Sequence, residues 1–142
     1  MIDKHQKLIK IPLSYENLTE EIMKLLLTGC TGFIGRELIP LLVQEGHSLT
    51  VISRQSKEQL KMISNDSDLR IIKMNPAETS CWNNEEIQTC LKNCEGVINL
   101  AGEPIAEKRW TEDHCKQITN SRLATTKNLI QNLHTLNKSP KV

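Results

Sequence analysis

The chain carries no excess charge of either sign: 18 Lys and Arg stand against 17 Asp and Glu over 142 residues, a formal net charge of +1. A nucleic-acid partner or an anionic membrane surface is therefore not expected. Long apolar runs are missing as well. No stretch approaches the roughly 18 residues of a membrane span, and the N-terminus lacks the continuous apolar core of an export signal, so a soluble cytoplasmic protein is expected. The five cysteines, Cys30, Cys81, Cys90, Cys94 and Cys115, are odd in number and form no Cys-x-x-Cys pair. Cys90 and Cys94 lie four apart with no companion His/Cys set for a metal, which favours reduced, packed thiols in a reducing compartment. There is no internal repeat, no low-complexity segment and no histidine run. At this length, one domain with a real core is expected.

What the chain does have is a glycine stretch, Thr28-Gly29-Cys30-Thr31-Gly32-Phe33-Ile34-Gly35. The apolar run Met23-Lys24-Leu25-Leu26-Leu27 precedes it, and Arg36 to Val43 follow with apolar residues at helical intervals. Strand, glycine turn, helix is the predicted order. In such a turn Gly29 can take a backbone conformation closed to other residues, Gly32 lets main-chain N–H groups approach a ligand, and Gly35 lets helix and strand pack closely. The unpaired N–H groups and dipole of the helix start then suit a pyrophosphate. The spacing is G-x-x-G-x-x-G rather than G-x-G-x-x-G, and three glycines can also make a bare turn. The flanking strand and helix favour the dinucleotide site. No Gly-Lys-Ser/Thr follows, which excludes a P-loop.

Residues 1–22 read as an N-terminal extension, and 23–142 as a nucleotide-binding domain. The first helix is expected over Phe33 to Glu45, kinked at Pro40 and closed by Gly46. Strands are expected at Leu49 to Ser53, at Leu69 to Met74 on an edge, and at Gly96 to Leu100. Between them, helices are expected at Lys57 to Ile63 and, capped by Asn83 or Asn84, through Glu85 to Leu91. Thr111 caps a long helix from Glu112 to Asn137, with apolar positions Ile118, Leu123, Leu129, Ile130 and Leu133. This alternation implies an α/β Rossmann-type, doubly wound parallel sheet of about four strands, incomplete at its C-terminus. An unpaired flank on the fourth strand leaves self-association or a companion chain open.

The second strand ends Ser53-Arg54, where an acid would bond the ribose hydroxyls and select NAD. Guanidinium and hydroxyl instead suit a 2′-phosphate, so the cofactor is read as NADP (NADPH), with a solvated loop arginine as the alternative. The fourth strand ends Asn99-Leu100-Ala101-Gly102-Glu103-Pro104, a small-residue turn expected beneath the cofactor at the switch point of the sheet. Trp110 reads as a buried anchor, and Arg122 as a further phosphate or ribose contact or a solvated helix arginine. His114 and Cys115 are neighbours on a helix and point apart, which argues against a nucleophile pair.

Together with Gly46-His47, Val97 to Ile105, Arg109-Trp110-Thr111-Glu112 and Ser121 to Thr126, these stretches resemble the sugar-nucleotide epimerase-like family of atypical extended short-chain dehydrogenases/reductases, the NAD-dependent epimerase/dehydratases. The resemblance covers about Met23 to Leu133. It implies that the turn, with Gly29, Thr31, Gly32, Phe33, Ile34 and Gly35, holds the pyrophosphate. Ser53 and Arg54 would hold the 2′-phosphate; Leu100, Ala101 and Gly102 would support the cofactor, and Arg122 would add a contact. Gln117 is an amide where some relatives have an acid. Such enzymes use a Tyr-x-x-x-Lys pair for proton exchange with a substrate hydroxyl. The only tyrosine here is Tyr15, upstream of the fold, with Thr19 in the lysine's place. The expected function is thus the NADP(H)-binding N-terminal portion of an epimerase or oxidoreductase, inactive alone, its small-molecule substrate unread. A non-catalytic regulatory nucleotide module is the alternative. A methyltransferase-like site is disfavoured by Arg54 at the strand tip.

Overall fold

The computed structural model describes residues 21–56 and 69–141. The helix expected over Lys57 to Ile63 and nearly all of the extension lie outside them. The described elements are β1 (Lys24–Thr28), α1 (Phe33–Gln44), β2 (Ser48–Ser53), β3 (Leu69–Lys73), α2 (Thr79–Trp82), α3 (Glu85–Asn93), β4 (Gly96–Asn99) and α4 (Glu112–Leu133). The strands form one parallel sheet in the order β3-β2-β1-β4. β3 is at an edge, and the winding reverses between β1 and β4, as expected of a Rossmann-like α/β fold.

Consecutive apolar residues in β1 reflect burial on both faces. Leu25 and Leu27 belong to one core cluster with Ile39, Leu49 and Val51. Leu26 points the other way, to a cluster with Ile52, Ile72, Trp82, Ile87, Leu91 and Leu129. A strand covered on both sides has no polar face to alternate with.

Local chemistry sets the helix ends. Asn84 caps α3 by accepting from Glu86 N and Ile87 N, and Thr111 caps α4 by accepting from His114 N. α1 stops at a Schellman turn: Gly46, at φ 85°, donates to Val43 O (2.9 Å), and His47 donates to Leu42 O (3.0 Å). The helix continues through Pro40, which lies on its exposed side.

Three expectations need correction. Trp110 is 67% exposed, whereas Trp82 is fully buried and donates from Nε1 to Pro76 O (2.8 Å). Trp82 sits in α2, a four-residue helix too short to show a period. α4 ends at Leu133, short of Asn137, where turns centred on Thr135 take over. Its buried residues are His114, Thr125 and Leu129, while Leu123 and Ile130 face outward. The inner face is partly polar, so hydrophobicity alone misplaces it. Near its end the chain returns to the start of β4, with Lys141 N donating to Glu95 O (2.7 Å). Among the described residues no helix is long and apolar enough to cross a membrane.

Candidate functional site

Register brings three strand tips level: Thr28 of β1 pairs with Ile52 of β2 on one side and Asn99 of β4 on the other. A cavity of about 610 Å³ opens over these tips. The glycine turn forms its floor. Gly29 sits at φ 71°, and a Cβ there would collide with the backbone of Leu100 and Ala101. A Cβ on Gly35 would collide with the backbone of Cys30. Both positions therefore require glycine. Gly32 differs, since a Cβ there would meet only Gly29 O, at 3.5 Å.

Gly32 is the N-cap residue of α1, and it offers no side-chain cap. The first turn of α1 contains no acid, in contrast to α3 and α4. The N–H groups that Asn84 and Thr111 satisfy in the other helices are left here for an anion. Arg36 Nε donates to Thr31 O (2.9 Å), which fixes the turn from outside.

Asn99 ties the opposite wall together. Its Oδ1 accepts from Thr28 Oγ1 and from Ala101 N (3.3 Å), while its Nδ2 donates to Thr126 Oγ1 (3.3 Å). The loop after β4 is held from α4: Glu103 N donates to Ser121 Oγ (2.9 Å), and Arg122 Nη1 donates to Glu103 O (3.0 Å) and Ile118 O (3.3 Å). The Glu103 carboxylate pairs with Lys108 Nζ (2.9 Å). Its pKa lies below the usual carboxylate value, chiefly through Lys108, with the positive charge of Arg54 adding to the effect.

The cavity gathers Gly29, Thr31, Gly32, Ser53, Arg54, Leu100, Ala101 and Gly102. Ser53 is buried, with its Oγ accepting from Gln55 N (3.0 Å), and Arg54 is exposed. Gln117, the amide where some relatives have an acid, also lines it, whereas Phe33, Ile34, Gly35 and Arg122 do not. Phe33 and Ile34 turn their side chains to solvent. Gly35 packs on Cys30, and Arg122 anchors the loop. Glu103 and Pro104, part of the turn expected beneath the cofactor, line it too, whereas sequence reasoning missed Gln55, the Asn75-Pro76-Ala77 turn beyond β3, Glu107 and Asn120. The rule that ligands sit at strand C-termini, applied to β3 as well, points to Asn75.

Thiol chemistry does not fit the site. Burial pushes the Cys30 thiol up to about 12 and, with Glu78 nearby, Cys81 up to about 11, so neither is a thiolate at neutral pH. Cys90 and Cys94 line a separate groove of about 190 Å³, at the start of the strands. Among the described residues no group of three or more His, Cys, Asp or Glu is placed to hold a metal.

Residues 25–142 match the family model of the NAD dependent epimerase/dehydratase family. The chain belongs to this family. It is 36% identical over 121 residues to the chloroplastic epimerase family protein SDR39U1 homolog of Arabidopsis thaliana, and 33% identical over 121 residues to epimerase family protein SDR39U1 of Homo sapiens. These alignments cover 85% and 84% of the chain but 31% and 34% of the relatives, so the chain spans about a third of their length. The crystal structure of the human protein with NADPH superposes with a TM-score of 0.58 at 31% identity, over 84% of this chain and 34% of that one. The Bordetella bronchiseptica enzyme WbmG, in complex with NAD and UDP, superposes at 0.61 with 16% identity, over 78% of this chain and 33% of that one, which shows the shared fold alone. As a member of the epimerase/dehydratase family, the chain has its glycine turn and strand tips where a nicotinamide dinucleotide binds in this fold.

Proposed function

We propose that residues 23–142 form the NADP(H)-binding portion of a short-chain dehydrogenase/reductase-type epimerase or oxidoreductase, and that this chain alone binds the cofactor without turnover. The observation that carries this reading is one cavity lined by the glycine turn, the Leu100-Ala101-Gly102 wall and Ser53-Arg54. Its parts fit the group. The uncapped start of α1 would take the pyrophosphate, and Arg54 with the Ser53 hydroxyl would take the 2′-phosphate. The small residues after Asn99 would leave room for the ribose. NADPH in the human relative's structure supports the same choice of coenzyme. Bound there, the nicotinamide supplies hydride chemistry. A tyrosine proton carrier is not available within 23–142, because the one tyrosine is Tyr15.

Calorimetric titration with NADPH and NADH, beside an absorbance assay of hydride transfer, tests the reading. Saturable NADPH binding without oxidation is expected. Binding of neither coenzyme overturns it, and tighter binding of NADH overturns the NADP assignment. The same tyrosine count also favours a second reading, a regulatory nucleotide module. Turnover restored by a companion chain carrying Tyr-x-x-x-Lys would decide for the catalytic reading.

A further inference from the structure

Arg54 occupies the strand tip where an acid would select NAD, yet the site does contain an acid. It enters from the loop after β4. Glu103 lines the same cavity as Arg54, and three contacts hold it there. Ser121 Oγ accepts from its N–H at 2.9 Å, Arg122 Nη1 donates to its carbonyl at 3.0 Å, and Lys108 Nζ reaches its Oε1 at 2.9 Å. Gly102 makes the posture possible: a Cβ there would already stand 3.0 Å from Arg122 Cζ, so the guanidinium packs directly under the loop. Two contacts fix the Glu103 backbone and one aims its carboxylate. The neighbouring cations Lys108 and Arg54 keep that carboxylate ionised.

An ionised carboxylate only accepts hydrogen bonds. A ribose 2′-hydroxyl can donate to it, whereas a 2′-phosphate is repelled by it. Resting on the NADP(H) reading above, we propose that Glu103 is a specificity-determining residue that accepts from the 2′-hydroxyl of NAD(H) and opposes the 2′-phosphate of NADP(H). Arg54 and Glu103 then set the coenzyme ratio between them. The phosphorylated form keeps its preference through the guanidinium, and the carboxylate holds that preference down, so NADH is a genuine second ligand.

The test is titration of the 142-residue chain and two variants with NADPH and with NADH. Glu103→Gln keeps the shape and removes the charge, and should raise the NADPH-over-NADH preference by about tenfold or more, NADPH tightening while NADH weakens. Lys108→Ala, at an exposed lysine, leaves the carboxylate without its partner and should move the ratio the other way. Equal changes for both coenzymes in Glu103→Gln would show that Glu103 only ties the loop, and would overturn the proposal, as would a Lys108→Ala ratio that does not move. The two readings fail differently. Wild-type protein that binds neither coenzyme sinks the cofactor reading itself; wild-type protein that binds, with a ratio insensitive to both variants, sinks only the role of Glu103.

Discussion

At Gly29 a single methyl group separates a folded turn from a blocked one. The residue sits at φ 71° against the Leu100 and Ala101 backbone, so Gly29→Ala adds backbone strain to a steric clash. A loss of about 2–4 kcal/mol in urea unfolding is expected. Gly32→Ala is the contrasting case. Its Cβ would meet only Gly29 O at 3.5 Å, so stability should stay within about 0.5 kcal/mol while NADPH binding weakens, because Gly32 lines the cavity. Arg54→Ala should cost NADPH about tenfold or more in affinity and leave NADH nearly unchanged, read by the same titration. His114 is buried with both ring nitrogens unpartnered among the described residues. Replacing it with Leu should therefore be neutral or stabilising by up to about 1 kcal/mol, since an unsatisfied polar group is removed. The glycines were legible in sequence because their requirement is local. Glu103 was legible as part of the turn after β4 but its orientation was not, because Ser121 and Arg122, which hold it, lie 18 and 19 residues further along the chain.

Elements that announce themselves with caps were read closely, and those without were not. Asn84 and Thr111 stand at the residues where α3 and α4 begin, and Gly46 closes α1 through backbone bonds that its positive φ allows. Asn84→Ala removes an acceptor for two N–H groups and should lower stability by about 1 kcal/mol in chemical denaturation, without changing coenzyme affinity. α2 escaped notice because four residues make barely one helical turn, although it carries the fully buried Trp82. Trp110 was misplaced for a related reason. An indole reads as core by composition, but here it donates from Nε1 to Ile105 O (2.9 Å) on an exposed loop. The inner face of α4 is marked by Thr125 and His114 as well as Leu129, so an apolar count picked Leu123 and Ile130 from the outer face.

Over the described residues the molecule is a parallel sheet with a core on each face and a cavity at the strand tips. Its buried thiols give it a pH signature. Cys30 and Cys81 are raised from near 9 to about 12 and about 11, so the unfolded chain releases their protons first as pH rises. Their contribution is complete below about pH 9 and is lost between about pH 9 and pH 12 as the unfolded thiolates form. Urea midpoints should hold steady up to about pH 8 and fall above about pH 9.5, with a shallower fall in Cys30→Ala. No decline across that range would contradict the buried-thiol account. The most direct test of the central claim is an amide-resolved NMR titration of the folded chain with NADPH. Saturable shifts gathered at Gly29 to Gly35, Ser53 to Gln55 and Leu100 to Glu103 are the predicted result. Shifts confined to the Cys90–Cys94 groove, or none at millimolar coenzyme, would contradict it.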